Sequence, residues 1–188
     1  ASFDLRPERD NQLTSLRAKL TWELGSGMTL TSITAWDNFE RVEANDWDGG
    51  FYNDSSNINT TDLDVFSQEI RLSGDTENMY WIVGAYSSKD EMDEYYHYFM
   101  SDSVFGLGSV PFGVPPFVLA PIRELDTIYD QETDSKAVFG HVEYNLTDAW
   151  RLTVGLRYTE EERTWSGCTF SAADNSLGNF LNTLFGST

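Results

Sequence analysis

The residues that could do chemistry are few and widely spaced. His97 and His141 are the only histidines, and neither has a nucleophile motif beside it. Cys168 is the single cysteine, which makes neither a zinc site nor a disulfide within the chain. Asp46 and Asp48 flank Trp47 ahead of Gly49-Gly50, a spacing a hard cation could use. The further ligands and distal bidentate Glu of a calcium loop are missing. Asp46 and Asp48 are therefore weak metal candidates, and a solvated acidic loop is the plainer reading. Phe105-Gly106-Leu107-Gly108 lacks the GxGxxG pattern and reads as loop punctuation. No catalytic constellation, resident metal or cofactor is expected, so the chain is not read as an enzyme.

A different chemistry is available to the aromatics. Trp47, Phe51 and Tyr52 lie in one polar stretch, and Tyr95, Tyr96, His97 and Tyr98 run together in another. Residues 90–134 hold ten acidic side chains, with Arg123 as the only Lys or Arg. Aromatic faces among carboxylates suit neutral sugars or cations better than anionic chelates, which call for Arg and Lys. These seven residues are the candidate ligand contacts. A solvated loop tip is the alternative for the same stretches.

Any such residues need a frame, and composition limits what it can be. At 188 residues, 40% hydrophobic and 14% aromatic, the chain can build one sizeable domain. Its net charge of −19 repels phosphate backbones, so no nucleic-acid partner is expected. That charge is expected mainly in loops. No apolar run reaches the ~18–20 residues of a transmembrane helix. Strands of a membrane barrel need only about 9–11 residues and alternate in polarity, so a membrane is not excluded. The opening residues do not resemble a signal peptide, which predicts a removed leader or an internal piece of a longer protein.

Period-two alternation recurs along the chain. It is clearest after the short turn at Asn145-Leu146-Thr147-Asp148, where Trp150, Leu152, Val154, Leu156 and Tyr158 oppose Arg151, Thr153, Gly155, Arg157 and Thr159. The pattern predicts an all-β, antiparallel up-and-down sheet of six strands at 13–24, 28–44, 61–73, 79–98, 131–146 and 149–165. Long loops are predicted at 45–60, 101–130 and 166–188, with Cys168 in the last, bridged to a cysteine beyond the sequence. Long and short connections alternate, as they do in outer-membrane barrels. The sheet therefore reads as part of a larger transmembrane β-barrel rather than a soluble sandwich. Trp150 to Tyr158 would face lipid, with His141, Arg151 and Arg157 on the lumen side. Glu69 and Arg71 could pair across the wall with Arg157 or Glu143.

Three stretches resemble the barrel portion of TonB-dependent outer-membrane receptors: LTSITAW at 30–36, FSQEIRLSG at 66–74 and VGLRYT at 154–159. The resemblance implies an importer of a scarce nutrient, such as an iron chelate, cobalamin or oligosaccharide, in the bacterial outer membrane. It implies outer-membrane lipid, the remaining barrel strands, a plug and, through that plug, the TonB system as partners, with a small nutrient as ligand. No plug is expected in this chain. Six strands cannot close a lumen that takes about 22. A structural or self-assembling β-sheet protein, associating through open strand edges, is the alternative function.

Overall fold

The computed structural model describes residues 4–103, 122–172 and 175–186, apart from the side chains of 183 and 184. Six strands form one antiparallel sheet in the order β1-β2-β3-β4-β5-β6. They are β1 (Glu8–Gly25), β2 (Met28–Asp46), β3 (Ser56–Asp75), β4 (Met79–Phe99), β5 (Glu124–Thr147) and β6 (Trp150–Ser171), followed by a helix, α1 (Ser176–Phe185). Each strand pairs with its chain neighbour, as an up-and-down sheet requires. The β1–β2 turn is built on Gly25, Ser26 and Gly27, all at positive φ (84°, 54° and 74°). A Cβ on Gly27 would stand 2.5 Å from the Asp75 carbonyl oxygen of the neighbouring turn. Adjacent turns thus pack closely at this end of the sheet.

The strands outrun the alternating apolar segments that announce them. β1 begins at Glu8 rather than 13, β3 at Ser56 rather than 61 and β5 at Glu124 rather than 131, while β6 continues to Ser171 rather than 165. These extensions (ERDNQ, SNINT, ELDTIYD) carry turn-forming and charged residues. Far from the short turns the outer face carries mostly charged and polar side chains, so the backbone ladder continues without apolar alternation. Cys168 therefore lies in β6, opposite Ile128 and exposed, not in a loop. Nor does the stretch from Ser176 to Phe185 trail off as loop. Leu177, Phe180 and Leu181 sit at helical spacing within Asn- and Gly-rich sequence and form part of α1.

Register sorts every strand residue to one of two faces. The outer face carries Leu16, Leu20 and Trp22 on β1, Leu30 and Trp36 on β2, and Phe66, Ile70 and Leu72 on β3. It continues through Trp81 and Val83 on β4, Val138, Val142 and Tyr144 on β5, and Trp150, Leu152, Val154, Leu156 and Tyr158 on β6. This apolar band sits at the short-turn end and is exposed to its surroundings. Trp22, Trp81, Tyr144 and Trp150 mark its lower edge. Trp36 and Tyr158, each eight residues beyond the first residue of its strand, mark the upper edge. Aromatic rows bracketing an apolar band are the profile of a barrel wall in a bilayer.

Above the band the outer face turns acidic. It presents Glu8 and Asp10, Glu40 and Asp46, Asp62 and Asp64, Glu91 and Asp93, five carboxylates between Glu124 and Asp134, then Glu160 and Glu162. Against these stand only Lys89 and Lys136. The inner face carries nine carboxylates and eight Lys or Arg, and is close to neutral. Much of the charge expected in loops thus lies on the strands, on one face of the wall.

Candidate functional site

The inner face is where side chains crowd. Thr31, Asn57, Asn59, Thr61, Thr127, Thr133 and Ala137 are buried there, whereas the outer apolar residues range from half-buried to open. Its charges are largely paired. Arg17 reaches Asp37 at 3.1 Å, Arg151 reaches Glu143 at 3.3 Å and Arg163 reaches Glu161 at 3.2 Å. Half-buried Arg41 donates to Thr61 Oγ1 at 2.8 Å and to Glu94 Oε1 at 3.3 Å, and Thr61 Oγ1 donates to the same carboxylate at 2.9 Å. Glu69 and Arg71 pair with each other at 3.5 Å along β3, not across the wall. Arg157 instead lies over the Tyr86 and Phe139 rings, 5.6 and 5.8 Å from their centroids. His141 Nε2 lies 3.1 Å from Glu143 Oε1 on this face, within hydrogen-bond reach.

Toward the ends far from the short turns, the inner face becomes aromatic. Tyr96 and Tyr98 stack at 5.9 Å, Tyr129 meets Tyr96 edge-on at 5.9 Å, and Trp165 lies 5.7 Å from Tyr129. The row crosses three strands, β4, β5 and β6. A Cβ on Gly167 would fall 2.7 Å from Tyr129 Cδ1 and 3.1 Å from Trp165 Cζ2, so only glycine leaves the two rings where they are. Tyr129 and Trp165 lie outside the sequence-derived set. Their signal is register: 96 faces 127, 129 faces 94 and 165 faces 131, which puts all three rings on one face of the sheet.

The seven candidate aromatics are divided by the fold. Tyr96 and Tyr98 belong to the inner row. Tyr95 and His97 point outward, where Tyr95 Oη donates to Asp126 Oδ1 at 2.7 Å and His97 Nδ1 lies 2.6 Å from the same oxygen. Adjacent residues in a strand cannot serve one ligand from one face. Trp47, Phe51 and Tyr52 stand in the β2–β3 loop, with the last two rings 4.2 Å apart.

That loop is tied to the end of β4. The Asn53 N–H donates to Asp102 Oδ2 at 2.9 Å, and the Asp102 N–H donates to the Asn53 carbonyl at 2.7 Å. Between them lies a cavity of about 310 Å³ lined by Trp47, Asn57, Tyr98, Phe99 and Met100 among others. The structure thus brings Trp47 and Tyr98 to one cavity and leaves Phe51, Tyr52, Tyr95 and His97 off its lining. Asp46 and Asp48 gather with Asp4, their ligating atoms within 4.8 Å of one another. Burial at the loop base, with Asp48 and Asp4 adjoining, holds the Asp46 carboxyl above its ordinary range. The 105–108 stretch lies outside the described residues.

A barrel-wall segment of this kind has known counterparts. No curated protein matches the sequence. Among solved structures, the chain is similar to the ferric yersiniabactin uptake receptor of Yersinia pestis, with a TM-score of 0.62 at 14% identity. The match covers 87% of this chain and 22% of that receptor, so the chain spans about a fifth of its length. At that identity the likeness establishes the fold. The family model described as TonB dependent receptor-like, beta-barrel, matches residues 2–182. Nearly the whole chain therefore lies within one family pattern, and it belongs to the TonB-dependent receptor β-barrel family.

Proposed function

We infer that this chain forms part of the wall of a nutrient importer and contributes ligand contacts at its extracellular rim. The inner aromatic row, Tyr98, Tyr96, Tyr129 and Trp165, is the observation that carries this reading. Family membership places the sheet in the bacterial outer membrane and makes it a receptor, not an enzyme. The outer apolar band meets lipid. The inner face, nearly neutral and internally paired, faces a lumen that the remaining strands close and a plug fills, with the TonB system acting through that plug. β1 and β6 are exposed along their length and present unpaired edges, which neighbouring strands of the same barrel satisfy.

The ligand is a small nutrient: an iron chelate, cobalamin or an oligosaccharide. Function gathers where a rigid scaffold holds variable segments, and the row stands where the strands meet their long loops. Labelled uptake of these three classes, in cells with and without the full-length receptor, tests the reading. One class should depend on the receptor and on the proton-motive force, and Tyr98→Ala or Trp165→Ala should raise its half-saturating concentration about tenfold, the effect of losing ~1.4 kcal/mol of contact. Unchanged uptake of all three in receptor-deficient cells would refute it.

A further inference from the structure

We propose that a recess in the outer wall, centred on Gly140, holds one acyl chain of a phospholipid from the periplasmic leaflet. This rests on the reading of the outer apolar band as lipid-facing and adds a fixed site to it. A cavity of about 490 Å³ opens in the band between β4 and β6, within the ~300–1,000 Å³ of small-ligand pockets. Register explains it. Val83, Gly140 and Leu156 stand opposite one another on β4, β5 and β6, all on the outer face. Gly140 has no side chain, so the middle strand lies low between two raised neighbours. A Cβ there would meet nothing nearer than 3.7 Å, so the space is open. The Trp81 indole widens one side. It lies on Gly74 of β3, where a Cβ would stand 2.4 Å from the ring, and so leans away from β5. Leu156, 79% exposed, stands clear on the other side.

The occupant follows from where the lining lies. It is almost wholly apolar and runs from Met79 and Trp81, at the short-turn edge of the band, to Val154 and Leu156 near its middle. Short turns face the periplasm in outer-membrane barrels. A chain entering from that side belongs to a phospholipid, and its end reaches the bilayer centre beside Gly140. On a flat wall an acyl chain touches protein along one side only. In the recess it meets Val83, Gly140 and Leu156 together, so dispersion contacts sum over three sides. Left unfilled, the recess would forfeit those contacts. Two other occupants fit worse. A charged ligand would lose its water and find no Lys, Arg, Asp or Glu on the lining. A lipopolysaccharide chain would have to enter from the opposite edge of the band, past Tyr158.

The test is native mass spectrometry of the full-length receptor, taken into detergent from vesicles of phosphatidylethanolamine and lipopolysaccharide. Heat-modified mobility on gels establishes that each variant compared is folded. Wild type should retain phospholipid. Gly140→Leu fills the recess from its floor and Val83→Trp from its β4 side, and each should retain one molecule fewer. Ile70→Trp places the same bulk on β3 at a residue as exposed as Val83 but off the lining, and should retain as many as wild type. The recess is refuted as a phospholipid site if wild type retains none, if both filling variants match wild type, or if Ile70→Trp loses a molecule too. Retained lipopolysaccharide in place of phospholipid would overturn the assigned leaflet, and a lipid-free dimer would make the recess a contact between copies instead. Destabilisation by Val154→Arg alongside any of these results would preserve the lipid-facing wall and sink the recess alone.

Discussion

Replacing Val154 with Arg should destabilise the receptor by about 2–4 kcal/mol, roughly 30- to 1,000-fold in the folding equilibrium. Val154 lies on the outer face opposite Val142, and the alternating band of β6 runs from Trp150 to Tyr158. Eight residues at ~3.3 Å each span about 26 Å along the strand, or about 20 Å of height at a tilt of ~40°. Val154 sits four residues from either aromatic end, about 10 Å from both interfaces, where a guanidinium is most costly. Thr153 is the control. It faces inward opposite Glu143, beside Arg151, so an added Arg meets a carboxylate. Thr153→Arg should cost less than ~1 kcal/mol. Urea unfolding of the full-length receptor in lipid vesicles measures both. Equal costs at the two positions would overturn the assignment of faces.

Removing Arg41 leaves Glu94 and Thr61 without their shared donor on a crowded face, so Arg41→Ala should lose about 1–3 kcal/mol in the same assay. A Cβ at Gly84 would stand 2.4 Å from the Phe139 ring, so Gly84→Ala displaces the ring that underlies Arg157 and should cost about 1–3 kcal/mol. Cys168, exposed on the outer face of β6 well above the apolar band, should label readily with an impermeant maleimide on intact cells; protection until reduction would restore the disulfide expected from its odd count. The 188-residue chain alone, with two open edges and an uncovered apolar band, should sediment as an assembly without detergent, and a compact monomer would contradict that.

The fold was legible wherever one face of a strand must be apolar. Leu152 to Tyr158 against Thr153 to Thr159 defines both a strand and its outward side, because lipid forces the alternation. Beyond the bilayer that force disappears. Residues such as Asp10, Asn57 and Asp130 obey only the backbone ladder, and their composition looks like loop. The site was half legible for the same reason. The run from Tyr95 to Tyr98 stands out as aromatic, but only register divides it into an inward pair and an outward pair. Tyr129 and Trp165 are isolated in sequence and meet Tyr96 only through β4–β5 and β5–β6 pairing.

The length of the strands has a consequence for the physics of capture. On β4 the apolar stretch ends near Ala85, thirteen residues below Tyr98. At ~3.3 Å per residue and ~40° of tilt, the rim stands roughly 30 Å above the outer edge of the bilayer. That is between three and four Debye lengths at physiological salt. A ligand arriving at the rim is therefore electrically screened from the membrane surface, whatever the charge of its lipids. The field it meets is set by the wall itself, so changes in ionic strength should act on capture through the protein's own carboxylates, while changes in lipid composition should leave it untouched.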